Sequence, residues 1–139
     1  LPGPLIVDTG PLYAAAATRD VNHRRCVELL AQAPRPLLVP GLVVTEVCYM
    51  LHDRIGAHAE LAFGRSIAAG EVIVEPVLDS EWERIAELTE QYLDLPLGTV
   101  DASIVALAER HRVTEIATLD RRHFTVVRPR HVPGFTILP

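Results

Sequence analysis

Lysine is absent from this chain, and all thirteen basic residues are arginine. Aromatic residues are scarce at 5%, so the core must be built from Ala, Val, Leu and Ile, and little ring surface remains for stacking bases. There are only two cysteines, Cys26 and Cys48, and they show no C-x-x-C or other metal-type spacing. They read as small core residues in a reducing cytoplasm, which excludes a disulfide scaffold. The longest apolar run, residues 37–51, is interrupted by Pro40-Gly41 and carries Glu46, so no membrane span is expected. Leu1-Pro2-Gly3-Pro4 lack the basic and apolar regions of a signal peptide, consistent with a cytoplasmic setting. No Gly-rich phosphate loop and no Ser or Cys nucleophile motif occurs, which argues against nucleotide-cofactor chemistry and covalent catalysis. The six histidines are scattered without ligand spacing, and none is assigned to a metal.

With 139 residues, nearly half of them apolar, the chain is expected to form one soluble domain spanning residues 1–139. Its net charge of -5 argues against a protein coated in nucleic acid by bulk electrostatics. The charge is uneven, however. Arg110, His111, Arg112, Arg121, Arg122, His123, Arg128, Arg130 and His131 crowd the last thirty residues, opposed there by Glu115 and Asp120 alone. A basic patch beside an acidic pocket suits an anionic substrate approaching a metal site. The plainer reading of any single arginine is that it solvates a helix end or a loop.

Short apolar runs at 5–7, 37–39, 72–74, 115–119 and 136–138 read as buried strands. Residues 126–127 are a possible extension of the sheet, set against Pro129 and Pro133. Between the strands, helices are expected over 12–17, from Asp20 or Asn22 to about 33, 41–54, 57–69, from Asp79 or Ser80 to about 93, and from about 98 to 110. Pro34-Arg35-Pro36 breaks the second of these, and Trp82, Ile85, Ala86, Thr89, Tyr92 and Leu93 form the expected inner face of the fifth. Strands alternating with helices imply a parallel sheet covered on both faces, with sites at the carboxyl ends of its strands. Apolar helix surface around Val43, Val47 and Leu51 is left over as a possible dimer face.

Four acids stand out by position. Asp8 follows the first strand and Asp120 the fourth, which places both at one sheet edge. Asp101 lies three, four and seven residues before Ile104, Val105 and Ala108, on the core-facing stripe of its helix and near the helix start. Glu46 sits in a helix apolar on nearly every side, so it is expected to be buried, where a carboxylate needs a partner or an ion. Each has a plainer reading: a turn residue for Asp8, a narrow exposed stripe or an Arg pair for Glu46, a first-turn acid for Asp101, a cap for Asp120. Taken together, four carboxylates at one edge repel and require a countercharge, and hard divalent cations take oxygen ligands. Thr9 and Thr118, each beside a strand-end acid, can orient a carboxylate or a water, or be ordinary β-branched strand residues. Asp94, before Pro96, reads as structural.

Val7-Asp8-Thr9-Gly10-Pro11-Leu12, Thr45-Glu46-Val47, Gly98-Thr99-Val100-Asp101-Ala102-Ser103 and Ala117-Thr118-Leu119-Asp120-Arg121-Arg122-His123-Phe124 together resemble a PIN-domain nuclease, most closely the VapC-type toxins of bacterial toxin–antitoxin pairs. The resemblance spans essentially the whole chain in order. It implies an α/β/α sandwich around a five-stranded parallel sheet, and a Mg²⁺- or Mn²⁺-dependent endoribonuclease. It further implies a homodimer silenced by a small antitoxin whose tail enters the acidic site. Carried over by position, Asp8 and Asp101 are the principal metal ligands, with Glu46 and Asp120 completing the quartet.

The expected activity is hydrolysis of single-stranded or looped RNA to a 5′-phosphate and a 3′-hydroxyl, with Arg112, Arg121 and Arg122 on backbone phosphates. Two rivals are a binding module that cuts nothing, and a nuclease of the same fold acting on DNA or in ribosomal RNA maturation. A phosphatase with an aspartyl nucleophile is disfavoured because Asp8-Thr9-Gly10 has no second Asp two residues on. The enzymatic reading requires Glu46 to lie off the outer surface, and the side chains of Asp8 and Asp101 to be close enough to touch a common ion.

Overall fold

Five short strands set the frame: β1 (Leu5–Val7), β2 (Leu37–Pro40), β3 (Ile73–Glu75), β4 (Glu115–Ala117) and β5 (Thr136–Leu138). They form one sheet in the order β3-β2-β1-β4-β5, and every neighbouring pair is parallel. β1 and β2 are buried along their whole length, which explains their unbroken apolar runs, whereas the edge strands β3 and β5 are half-buried to exposed. The helices are α1 (Thr9–Ala16), α2 (His23–Gln32), α3 (Gly41–Arg54), α4 (Ala57–Ala68), α5 (Trp82–Gln91, entered by a 3₁₀ turn at Asp79–Glu81), α6 (Thr99–His111) and α7 (Arg121–Val126). This computed structural model describes residues 3–34 and 36–139. Leu1 and Pro2 of the expected non-signal opening, and Arg35 of the expected helix break, lie outside the described residues.

The strand order positions the site. From β1 the chain steps outward to β2 and β3, then returns across β1 to β4 and β5. The connections leaving β1 and β4 therefore diverge, opening a crevice at the carboxyl ends of these two strands. α6 runs through the interior: Ala102, Ser103, Ile104, Val105, Ala106, Leu107 and Ala108 are all buried. Seven successive small or branched apolar positions, with one Ser whose hydroxyl bonds back to the Val100 carbonyl at 2.6 Å, suit a helix covered on every side.

Several expectations need correction. α1 begins at Thr9, not near residue 12, because Asp8 caps it and Pro11 falls in the first turn, where a missing N–H costs nothing. β3 lies one residue later than expected, and β4 stops at Ala117, so Thr118 and Leu119 belong to the turn. Residues 121–126 are helical, and Val127 is buried without joining a strand. On α5 the buried residues are Ile85 and Leu88, while Trp82 at the helix start and Leu93 beyond its end are 46% and 68% exposed. The dimer face expected at Val43, Val47 and Leu51 is not available either. All three are fully buried, because their four-residue spacing turns them into the domain's own core. Cys26 is a core residue as expected, and Cys48 is half-buried.

Candidate active site

Asp8 is delivered by β1 and fixed by three bonds. Its N–H donates to the Ala117 carbonyl at 2.9 Å, continuing the β1–β4 ladder. Its carboxylate accepts the Thr9 N–H at 2.7 Å, as the cap of α1, and the Thr118 hydroxyl at 2.8 Å. The side chain is buried, and burial is the main reason that its pKa is pushed from 3.8 up to about 6. The two hydrogen bonds oppose that rise, and the charges of Asp101 and Glu46 add to it.

Thr118 does more than occupy a β-branched position. The same buried hydroxyl that donates to Asp8 accepts the Asp120 N–H at 3.0 Å, so one side chain fixes the relative position of both strand-end acids. Gly10 serves the same junction: a Cβ there would lie 3.2 Å from the Leu119 side chain, which would have to give by a few tenths of an ångström to admit it. The Thr9 hydroxyl is buried and has no hydrogen-bond partner among the described residues.

Asp101 stands in the first turn of α6, half-buried, and accepts the His123 Nδ1–H at 2.6 Å. Burial raises its pKa, His123 opposes this, and the charges of Asp120 and Glu46 reinforce it. Asp120 is exposed at the cap of α7, with one oxygen 3.4 Å from the His123 N–H and the other 3.0 Å from His123 Nδ1.

Glu46 is exposed, not buried as expected. The apolar composition of α3 conceals a buried stripe of Val43, Val47 and Leu51, and Glu46 flanks that stripe on the open side. It nevertheless faces the same space as the other acids. A cleft of about 700 Å³ is lined by Asp8, Glu46, Asp101 and Asp120 together with Thr9, Gly10, Met50, Gly98, Thr99, Val100 and Leu119. Its wall thus carries four carboxylates and no arginine.

Oxygen donors in such number suit a hard divalent cation. Among the described residues Asp101, Asp120 and His123 form a group of three possible ligands, one atom from each within 4.8 Å of the others. Asp8 and Glu46 line the same cleft outside that group of three. His123, assigned to nothing from sequence, is part of it. The available signal was its place three residues after Asp120, one helical turn from a cap.

The arginines divide. Arg121 and Arg122 open α7 directly after Asp120; both are exposed, with one guanidinium nitrogen each on the carbonyls of Pro139 (3.2 Å) and Leu95 (3.3 Å). Arg112 is elsewhere. It caps the far end of α6 in a left-handed conformation, φ 55°, beside a pocket lined by Arg84, Glu109, Arg110 and Arg130. Eleven residues of helix, about 16 Å along the axis, separate it from Asp101. The phosphate contact expected of it would fall outside the cleft.

The architecture and the acid-lined crevice define a class. The family model for the PIN domain matches residues 5–128, and the chain belongs to the PIN-domain family. Within that family it is VapC-type: it is 36% identical over 135 residues to Ribonuclease VapC26 of Mycobacterium tuberculosis strain H37Rv, covering 97% of this chain and 100% of that one. The fold also matches the crystal structure of Mycobacterium tuberculosis VapC20, described as a Sarcin-Ricin loop cleaving toxin, with a TM-score of 0.79 and 22% identity over 86% of this chain and 92% of that one. That likeness establishes the α/β/α arrangement around the parallel sheet.

Proposed function

We propose that this VapC-type chain is the toxin of a toxin–antitoxin pair and an endoribonuclease that cleaves RNA phosphodiester bonds with Mg²⁺ or Mn²⁺ held in the acidic cleft. The observation that carries the metal assignment is the charge balance. Four carboxylates from four separate elements line one cleft, two of them have raised pKa values, and none pairs with an arginine among the described residues. The capping roles of Asp8 and Asp120 account for two of these acids but not for the meeting of four, and a bound divalent cation would neutralise them.

Asp101 and Asp120 would hold the ion, with Asp8 and Glu46 completing its surroundings directly or through water. A divalent ion so bound supplies water activation and charge neutralisation at the scissile phosphate. The chain's own residues do the rest. Thr118 keeps Asp8 and Asp120 in register. Arg121 and Arg122, exposed at the rim, hold backbone phosphates, which gives affinity without sequence choice. A small antitoxin, a homodimer and a cytoplasmic setting are part of the same reading, supported by the kinship with VapC proteins. No helix of the described residues is long and apolar enough to cross a membrane. We take residues 1–139 as one nuclease domain.

The test is cleavage of structured RNA by purified chain with Mn²⁺, with and without chelator, for wild type, Asp8→Asn and Asp101→Asn. Cleavage should vanish in both variants and with chelator, while circular dichroism shows both folded. Full cleavage by both variants would refute the assignment. A wild type that cuts only DNA, or that binds RNA without cutting it, would favour the rival nuclease or the binding module.

A further inference from the structure

Among the described residues His123 is the one imidazole in contact with the cleft's acids, and its geometry gives it a narrower task than ligation. Its Nδ1 lies 2.6 Å from Asp101 Oδ2 and 3.0 Å from Asp120 Oδ2. A carboxylate oxygen offers only lone pairs, so the hydrogen of the shorter contact sits on Nδ1, which is then a donor with no lone pair to give an ion. The backbone that carries the ring is anchored. Its neighbour Phe124 is fully buried and meets Phe135 edge-on at 6.4 Å, and α7 is capped by Asp120 itself. The imidazole therefore joins an acid on α6 to an acid on the cap of α7, two elements that the chain supplies separately.

We propose that His123 is a positioning residue, whose Nδ1–H holds Asp101 and Asp120 at ligating separation so that the cation meets a preset pair. This rests on the metal-dependent reading of the cleft. A hydrogen bond from outside the coordination sphere orients a ligating carboxylate, and removing such a partner typically weakens metal binding by about 10- to 100-fold.

Asparagine separates this role from its alternatives, because its side-chain N–H₂ can stand where the imidazole Nδ1–H stands while offering no nitrogen lone pair. Full-length wild type, His123→Asn and His123→Ala are titrated with Mn²⁺ alone by calorimetry, without RNA. His123→Ala should bind roughly 10- to 100-fold more weakly, and His123→Asn should recover most of that loss. Saturating Mn²⁺ should restore kcat in His123→Ala with the KM for RNA unchanged. Matching melting temperatures for the two variants would exclude unfolding as the cause. If His123→Asn binds as poorly as His123→Ala, the histidine nitrogen is itself a ligand and the proposal is wrong. Unchanged Mn²⁺ affinity in His123→Ala, or a raised KM for RNA with normal affinity, would also overturn it. Absence of Mn²⁺ binding in wild type would instead defeat the metal-centre reading beneath it.

Discussion

The two ends of α6 treat an acid in opposite ways. At its start Asp101 is half-buried among other carboxylates, with a histidine as its only charge-capable partner in reach, and its pKa is raised. Near its end Glu109 is also half-buried, yet its pKa is lowered. Burial alone would raise Glu109 too. It is overcome by Arg84, which grips both carboxylate oxygens at 2.9 and 2.8 Å, and by the Arg130 N–H at 2.9 Å, with both guanidinium charges adding. Around that end Arg130 also pairs with Glu87, and Arg110 with Glu81. A chain with thirteen arginines thus neutralises its acids where they are structural and leaves them unneutralised in the cleft. The proposal that the cleft takes a divalent cation rests on that difference. The difference is a sharper indicator than the number of acids, which is similar at both ends.

The largest effect should come from breaking the paired end. Glu109→Gln leaves the Arg84 guanidinium, only 15% exposed, with the longer 3.5 Å contact to Glu87 in place of its two-point grip on Glu109. Loss of charged hydrogen bonds of this kind costs about 2 to 3 kcal/mol. In a chain of this size that should lower the melting temperature by roughly 6 to 12 °C. Specific RNA cleavage per folded molecule should stay at the wild-type level, the reverse of Asp101→Asn, which should lose cleavage and remain folded. If Glu109→Gln abolished cleavage below its melting temperature, the two ends of the helix would not be functionally distinct.

The unpaired end should reveal itself through pH. Asp8 holds its proton to about pH 6 in the folded chain, against 3.8 as the ordinary value. A raised carboxyl pKa favours the folded state below the unfolded value, and that contribution disappears as pH climbs through 6. Two units correspond to an effect on the order of 2 to 3 kcal/mol, so metal-free protein should be less stable at pH 7 than Asp8→Asn by a sizeable part of it. The gap should close near pH 4. Mn²⁺ should raise the wild-type melting temperature more at pH 7 than at pH 5, because the ion competes with the proton for the same oxygens. An Asp8→Asn variant that melts below wild type at pH 7 without metal would contradict this account.

Much of this was legible in the residues, for reasons that also explain the failures. Buried parallel strands are continuous apolar runs, so Leu5-Ile6-Val7 and Leu37-Leu38-Val39 announced themselves, and with them the strand-end position of Asp8. Glu46 was found for the wrong reason. Composition showed an apolar helix, but only one stripe of it is covered, and the acid is exposed on the cleft side. His123 is not legible in the same way, because its contact depends on α7, a six-residue helix too short to show an apolar period and placed where a turn at Asp120 and a sheet extension at 126–127 were expected. Arg112 stands apart from the cleft in space. Closeness along the chain to Arg121 and Arg122 says little when β4 carries the chain between them from one end of the sheet to the other.

The placing of these arginines yields the finest test of the contrast, because it separates them by position alone. Arg121 and Arg122 directly follow Asp120, which lines the cleft, whereas Arg112 sits at the neutralised end of α6. Each phosphate contact removed should weaken RNA binding modestly and reduce the slope of log affinity against log salt by about 0.7 for single-stranded RNA. Arg121→Ala with Arg122→Ala should therefore flatten that slope by roughly 1.4 units, measured on the catalytically silent Asp101→Asn background so that the RNA stays intact. Arg112→Ala should leave both affinity and slope at the background level. If Arg112→Ala flattened the slope as much as the double change, RNA would have to extend along the outside of α6 to its far end, and the cleft would be only one part of a much longer binding track.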